Sequence, residues 1–290
     1  MASTILVTGA TGTIGSEVVK ALAAKPGVTV RIGVRSAAKA DKLAAPNVVP
    51  VDFDFARPET IAAAVKGVDL VFLLTPFSAD QVEHGRAVVE AAKAAGVKHI
   101  VKLSAMGADN EPGIQLGRWH RETEKLVEAS GISYTILRPG NFMDNFINFY
   151  PPGPDGNIYV PFGTAAVSYI DARDVAAVAA AVLTEEGHYG KAYDLTGPEA
   201  ITTAEVAKAI GEASGRTVKY VDVPEEATSK AMLDMHMPRW MVDAMMELYG
   251  ITKAGYASGV SPLVKQITGR APRTFAEFAR DHAAAWKPKA

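Results

Sequence analysis

Short, nearly unbroken apolar runs recur along the first half of the chain, at Thr4–Val7, Thr29–Val34, Val48–Phe53, Asp69–Leu74, His99–Leu103 and Tyr134–Leu137. Runs of this length without polar alternation predict strands covered on both faces. Between them the apolar spacing becomes helical. Ile14, Val18, Val19 and Leu22 share one stripe, and further helices are predicted at Pro58–Val65, Ala79–Ala95 and Leu116–Ser130, with Lys39 and Lys42 on another. Pro26-Gly27, Gly67 and Gly96 punctuate the alternation. Regular strand–helix succession predicts an α/β fold, a doubly wound parallel sheet of Rossmann-like type with right-handed crossovers.

The first strand breaks into Gly9-Ala10-Thr11-Gly12-Thr13-Ile14-Gly15 before the first helix. Glycines at this spacing let the backbone turn sharply and approach a ligand, and the unpaired N–H groups of the helix face the turn. Strand, glycine turn and helix in this order point to a dinucleotide site at Gly9, Thr11, Gly12, Thr13, Ile14 and Gly15. The residue about 20 positions further on meets the adenosine ribose, where an acid suits a 2′-hydroxyl and an arginine a 2′-phosphate. Here it is Arg35, which implies NADP(H) unless it is an ordinary solvated charge. Later strands end at the rim where ligands sit in open parallel sheets. Asp52 and Phe53 would meet the adenine, and Leu74, Thr75 and Pro76 the pyrophosphate and ribose.

Beyond the sixth strand, Pro139-Gly140 turns the chain away from the sheet, and Phe142, Met143, Phe146, Phe149 and Tyr150 precede a Pro151–Pro154 cluster. Residues 1–140 are expected to form the dinucleotide-binding core. Residues 141–290 would be mainly a smaller α/β substrate lobe, with 167–196 returning to the core through a helix at Ala172–Leu183 and a strand at Ala192–Leu195. A helix at Thr203–Ser214 and a strand at Val218–Val223 follow. Met232, Met235, Met237, Trp240, Met241, Met245 and Met246 then supply either an adaptable surface for a flat substrate or a helical pair in the lobe core.

A chain of 290 residues with 30 basic and 32 acidic side chains, well mixed, carries a net charge of −2, which gives no pull towards nucleic acid or an anionic membrane. Small-molecule partners are expected, in a monomer or homodimer. With no cysteine, thiol catalysis and disulfides are excluded. The six histidines lack ligand spacing, so no metal is expected. The first strand begins directly after Met1-Ala2-Ser3, and no apolar stretch is long enough to span a bilayer, so the expected location is cytoplasmic.

The glycine turn, Arg35, Leu73–Pro76, Leu103-Ser104-Ala105-Met106-Gly107-Ala108, Thr123–Leu126, Leu137–Met143, Asp171–Ala176 and Leu195–Glu199 together resemble the NmrA-like family of atypical short-chain dehydrogenase/reductases, over nearly the whole chain. The resemblance implies an NADPH-dependent reductase of quinone-, azo- or triphenylmethane-dye-like acceptors, or a regulator that binds the dinucleotide without turnover. It places Ser104 and Pro139 at the cofactor and Phe142, Met143 and Phe146 towards the substrate. The wider superfamily carries Tyr-x-x-x-Lys on the helix after the fifth strand. Here Leu116 stands at the tyrosine position and His120 at the lysine position. His120 is therefore expected either to donate or relay a proton near its ordinary pKa of about 6.5, or to bond ribose or solvent. Ser104 would orient substrate or cap the strand end. Tyr249-x-x-x-Lys253 lies far downstream, includes Gly250, and is read as coincidence.

Overall fold

The computed structural model describes residues 3–287. In chain order the first elements are β1 (Ser3–Val7), α1 (Thr13–Ala23), β2 (Val28–Val34), β3 (Val48–Asp52), α2 (Pro58–Val65), β4 (Leu70–Leu73), α3 (Gln81–Ala94), β5 (His99–Leu103), α4 (Gln115–Ala129) and β6 (Ser133–Pro139). Each follows an apolar run or stripe in the sequence. The segment carrying Lys39 and Lys42 differs, forming two 3-10 turns at Ala37–Lys39 and Asp41–Leu43 instead of one helix.

There follow α5 (Asn145–Asn148), β7 (Asn157–Val160), β8 (Ala166–Val167), α6 (Ala172–Thr184), β9 (Lys191–Leu195), β10 (Ile201–Thr202), α7 (Thr203–Ser214), β11 (Lys219–Asp222), α8 (Glu225–Asp234), α9 (Arg239–Lys253), α10 (Leu263–Thr268) and α11 (Phe275–Asp281). α7 and α11 both begin with a reciprocal cap, Thr202 with Glu205 and Thr274 with Glu277, which satisfies two orphan donors at each helix end.

The main sheet has seven strands in the order β3-β2-β1-β4-β5-β6-β9, and the pairs from β3 through to β6 are parallel. The reversal of strand order beside β1 is where open sheets of this type leave a crevice at their carboxyl ends. Val7 lies opposite both Ile32 and Phe72, all three fully buried. Leu6, Val71, Leu73, Ile100 and Ile136 meet Ile61, Val88 and Val127 of the covering helices. Each such side chain contributes on the order of 1.5–3 kcal/mol by leaving water.

The chain divides into two compact units. The first comprises residues up to Gly113, Gly117–Pro139 and Val175–Asp194; the second comprises Ile114–Leu116, Gly140–Asp174 and the described residues from Leu195. The second unit holds two small sheets, β10 antiparallel to β8 and β11 parallel to β7. Its core is aromatic. Phe146, with no exposed surface, meets Tyr150, Tyr169 and Phe275 edge to face at 5.1, 5.2 and 5.4 Å, and Trp286 Nε1 donates to its carbonyl at 2.9 Å. Among the described residues no helix is long and apolar enough to cross a membrane.

Candidate cofactor and proton site

Two of the three glycines in the first turn are held by contact. Gly9 takes a left-handed φ of 61°, and a Cβ there would meet Leu74 Cδ2 at 2.7 Å. A Cβ on Gly15 would sit 2.1 Å from the Gly9 carbonyl oxygen, so α1 seats on the turn only because Gly15 has no side chain. Gly12 is extended and caps α1 without a side-chain bond; its amide donates to Gly9 O at 3.0 Å. The first helical bond runs from Ser16 N to Gly12 O at 2.9 Å, which leaves the Ile14 and Gly15 amides without an intrahelical acceptor. The first turn of α1 carries no acid. Thr11, Gly12 and Thr13 are exposed. A cradle cleared of Cβ atoms, with free amides and the positive end of a helix, fits a phosphate.

The neighbouring strand ends carry the remaining groups named from sequence. Thr8 Oγ1 donates to Leu74 O at 2.8 Å and accepts from Leu74 N at 2.8 Å, which ties the carboxyl ends of β1 and β4 together. Thr75 Oγ1 is buried there without a hydrogen-bond partner among the described residues, a hydroxyl left for a ligand. Arg35 is exposed just past β2 and has no side-chain partner among the described residues. Asp52 is engaged by Arg57 at 2.7 Å, with more than half of its side chain exposed. Phe53 departs from expectation. Its ring is 3% exposed and belongs to the core, edge to face with Phe55 at 5.0 Å, and its amide donates to Val34 O at 3.1 Å, so only its backbone carbonyl is left for a ligand. Pro139 is buried at the end of β6, where its carbonyl accepts from Met106 N at 3.0 Å.

Past β5, Ser104 Oγ donates to Glu124 Oε1 at 2.6 Å, and both are buried. Arg138 Nε and Nη2 donate to the two oxygens of Glu124 at 2.9 and 2.7 Å, and Arg138 also pairs with Asp109. Burial opposes the Glu124 charge, but Arg138, Ser104 and Arg121 outweigh it and hold the carboxyl below its ordinary range. The Ser104 proton is thereby committed to Glu124, and its oxygen is left to accept, not to donate.

Beside this cluster, Lys102 Nζ donates to His120 Nδ1 at 3.1 Å and to the Leu103 carbonyl. Lys102 has no exposed surface. Burial lowers its amine to about 7, with Glu124 acting the other way. Burial and the Lys102 charge push His120 well below 6.5. At neutral pH the imidazole is therefore uncharged, which corrects the expectation of an ordinary histidine titrating near 6.5. Sequence reading missed Lys102, Glu124 and Arg138 as partners. A charged residue inside an otherwise apolar strand was the available signal.

The family model of the NmrA-like family matches residues 1–279. The chain belongs to the NmrA-like family. It is 46% identical over 283 residues to an NAD(P)H azoreductase of Xenophilus azovorans, covering 97% of this chain and 99% of that protein. An NADPH-dependent quinone oxidoreductase of Escherichia coli, solved with NADPH, is 31% identical with a TM-score of 0.85, covering 96% of this chain and 99% of the other. A Citrobacter triphenylmethane reductase, solved with NADP(H), is 29% identical with a TM-score of 0.84 over 96% and 99%. Two solved relatives of this fold thus hold NADPH or NADP(H).

In the second unit, Met143 and Phe146 are core side chains, 1% and 0% exposed, against the expectation that they touch substrate. Phe142 is half-buried and bridges Ile170 by its backbone. The methionine stretch also serves mainly as packing, since Met232 is in the core and Met237, Met245 and Met246 lie against it. Met235 is 65% exposed. Tyr249 is buried, which raises its hydroxyl to about 12 and makes it a poorer acid, while Lys253 pairs with Glu225 at 3.5 Å.

Proposed function

We propose that this protein is an NADPH-dependent reductase of electron-poor, conjugated small molecules, with azo compounds and quinones as its substrate class. The observation that carries the reading is the 46% identity to the azoreductase over essentially the full length of both chains. The bound cofactor would supply hydride from its nicotinamide. The chain's residues bind and orient it: the Ile14 and Gly15 amides hold the pyrophosphate, Arg35 the 2′-phosphate, and Leu74, Thr75 and Pro76 the ribose rim. Asp52 and the Phe53 backbone lie on the adenine side. On the second unit, half-buried Phe142 is the one of the three residues assigned to substrate from sequence whose side chain keeps some exposed surface, and Phe149 nearby is exposed.

Acceptor choice follows from the weakness of the acids that are present. Leu116 stands where a tyrosine would be, the Ser104 proton is committed to Glu124, and His120 is neutral at pH 7. Conjugated acceptors tolerate this because they delocalise the negative charge that hydride addition leaves, whereas a simple ketone would become an alkoxide and needs a strong donor. The test is oxidation of NADPH by the purified protein with an azo dye and a quinone. Turnover of either supports the reading. Tight NADPH binding with no oxidation by any acceptor would favour the dinucleotide-sensing regulator instead.

A further inference from the structure

β5 holds a lysine where an apolar side chain would be cheaper. Lys102 lies in a parallel strand whose five residues are all buried, and among the described residues no carboxylate comes within ion-pair distance of it. An ammonium in such a place costs several kcal/mol unless it neutralises or is put to use. Its Nζ has two acceptors, the Leu103 carbonyl and His120 Nδ1. His120, on α4, is only half-buried, and its Nε2 has no partner among the described residues. When Lys102 is protonated its ammonium can only donate, so Nδ1 accepts and the ring proton sits on Nε2. The charged groups facing the pair are Glu124, one helical turn on from His120, and Arg138 and Arg121, which neutralise that carboxylate. The cluster therefore keeps a proton on an interior amine that has one way out, through the imidazole.

We propose that Lys102 and His120 form a proton relay in which buried Lys102 stores the proton and His120 delivers it to the reduced acceptor. The inference rests on the reductase reading. In the step, an azo N=N bond gains a hydride on one nitrogen and becomes a nitrogen anion at the other. That nitrogen then bonds to the proton leaving His120 Nε2, while Nδ1 takes a proton from Lys102 Nζ. The imidazole ends as its other tautomer and Lys102 as a neutral amine. Solvent restores both by the reverse path through His120. Lys102 is thus a positioning residue that acts through His120, and a neutral histidine serves as an acid without ever needing to be free imidazolium.

Two acceptors separate the relay from a structural role. Azo reduction requires one proton with each hydride, whereas a triphenylmethane cation takes hydride alone to give a neutral product. In the full-length enzyme, Lys102→Met should lower azo turnover at pH 7 by roughly 100-fold. It should leave triphenylmethane turnover and NADPH affinity within about twofold. Wild-type azo turnover should fall as pH rises through about 7, where the stored proton is lost, and that inflection should vanish in the variant. His120→Phe should match Lys102→Met, and the double variant should be no worse than either, because both members serve one step. Nitrogen-15 NMR of the Lys102 amine should place its titration near 7 without reference to turnover. Equal losses on both acceptors, unchanged azo turnover, or an amine titrating at an ordinary lysine value would each overturn the relay. A wild type that oxidises NADPH with neither acceptor would overturn the reductase reading itself.

Discussion

Arg138 clasps Glu124 through two hydrogen bonds, from Nε at 2.9 Å and Nη2 at 2.7 Å, with the carboxylate wholly buried. Removing Arg138 leaves the buried carboxylate with only Ser104 and one bond from half-buried Arg121, too little to offset its desolvation. Arg138→Met should therefore cost about 3–5 kcal/mol in denaturant unfolding. Replacing both partners by apolar residues should recover much of that loss. If the double replacement is as unstable as the single, the penalty is not an unpaired charge.

The same pair sets an acid limit. The folded Glu124 carboxyl titrates below its ordinary 4.5, so its contribution is complete above that pH and is lost as pH falls through the lower folded value. His99 acts in a separate window. Buried against Ser133 and Thr135, it is lowered to about 4 by burial and by His188. The unfolded histidine binds its proton first as pH drops, so stability should decline from about 6.5 to 4, by up to roughly 3 kcal/mol. His99→Gln should flatten that limb and leave the lower one unchanged, as read from denaturation midpoints against pH.

At the glycine turn, binding and folding are separable. A Cβ at Gly12 would meet only the Gly9 oxygen, at 3.4 Å, whereas one at Gly15 would need the backbone to move. Gly12→Asp should fold normally and lose NADPH binding, because its carboxylate stands at the helix end where phosphate belongs. Gly15→Ala should be destabilised by about 1–3 kcal/mol, in the manner of overpacking. Cofactor fluorescence titration and thermal unfolding distinguish the two. A folded Gly12→Asp with full NADPH affinity would refute the assignment.

Arg35→Asp should weaken NADPH on the order of 10- to 100-fold while sparing or improving NADH, since it removes a charged donor and adds an acceptor for a 2′-hydroxyl. Dissociation constants for both nucleotides, measured in one buffer, settle the matter. An unchanged ratio would make Arg35 an ordinary surface charge.

Unactivated ketones should be turned over at least about 100-fold more slowly than azo or quinone acceptors. Steady-state NADPH oxidation with matched acceptor concentrations checks this, and efficient ketone reduction would reveal a stronger acid than the Lys102–His120 pair.

The main sheet and the glycine cradle were legible in sequence because both depend on local properties: unbroken apolar runs, a 3.6-residue stripe, and glycine's freedom at Gly9. Gly12 to Gly15 and Arg35 are set by their distance along the chain from β1. What tertiary structure decided was the meaning of residues whose partners are far away in sequence. Phe53 and Phe146 read as ligand-facing candidates, for the adenine and the substrate, yet strands and helices brought from elsewhere enclose them. Lys102 and His120 are 18 positions apart, and Ser104 and Glu124 are 20. No periodicity records those separations. An ammonium, an imidazole and a carboxylate acquire their protonation states from burial and from each other. The protonation states of Lys102 and His120 are thus a property of the contact between β5 and α4, while the glycine cradle is a property of one short stretch of chain.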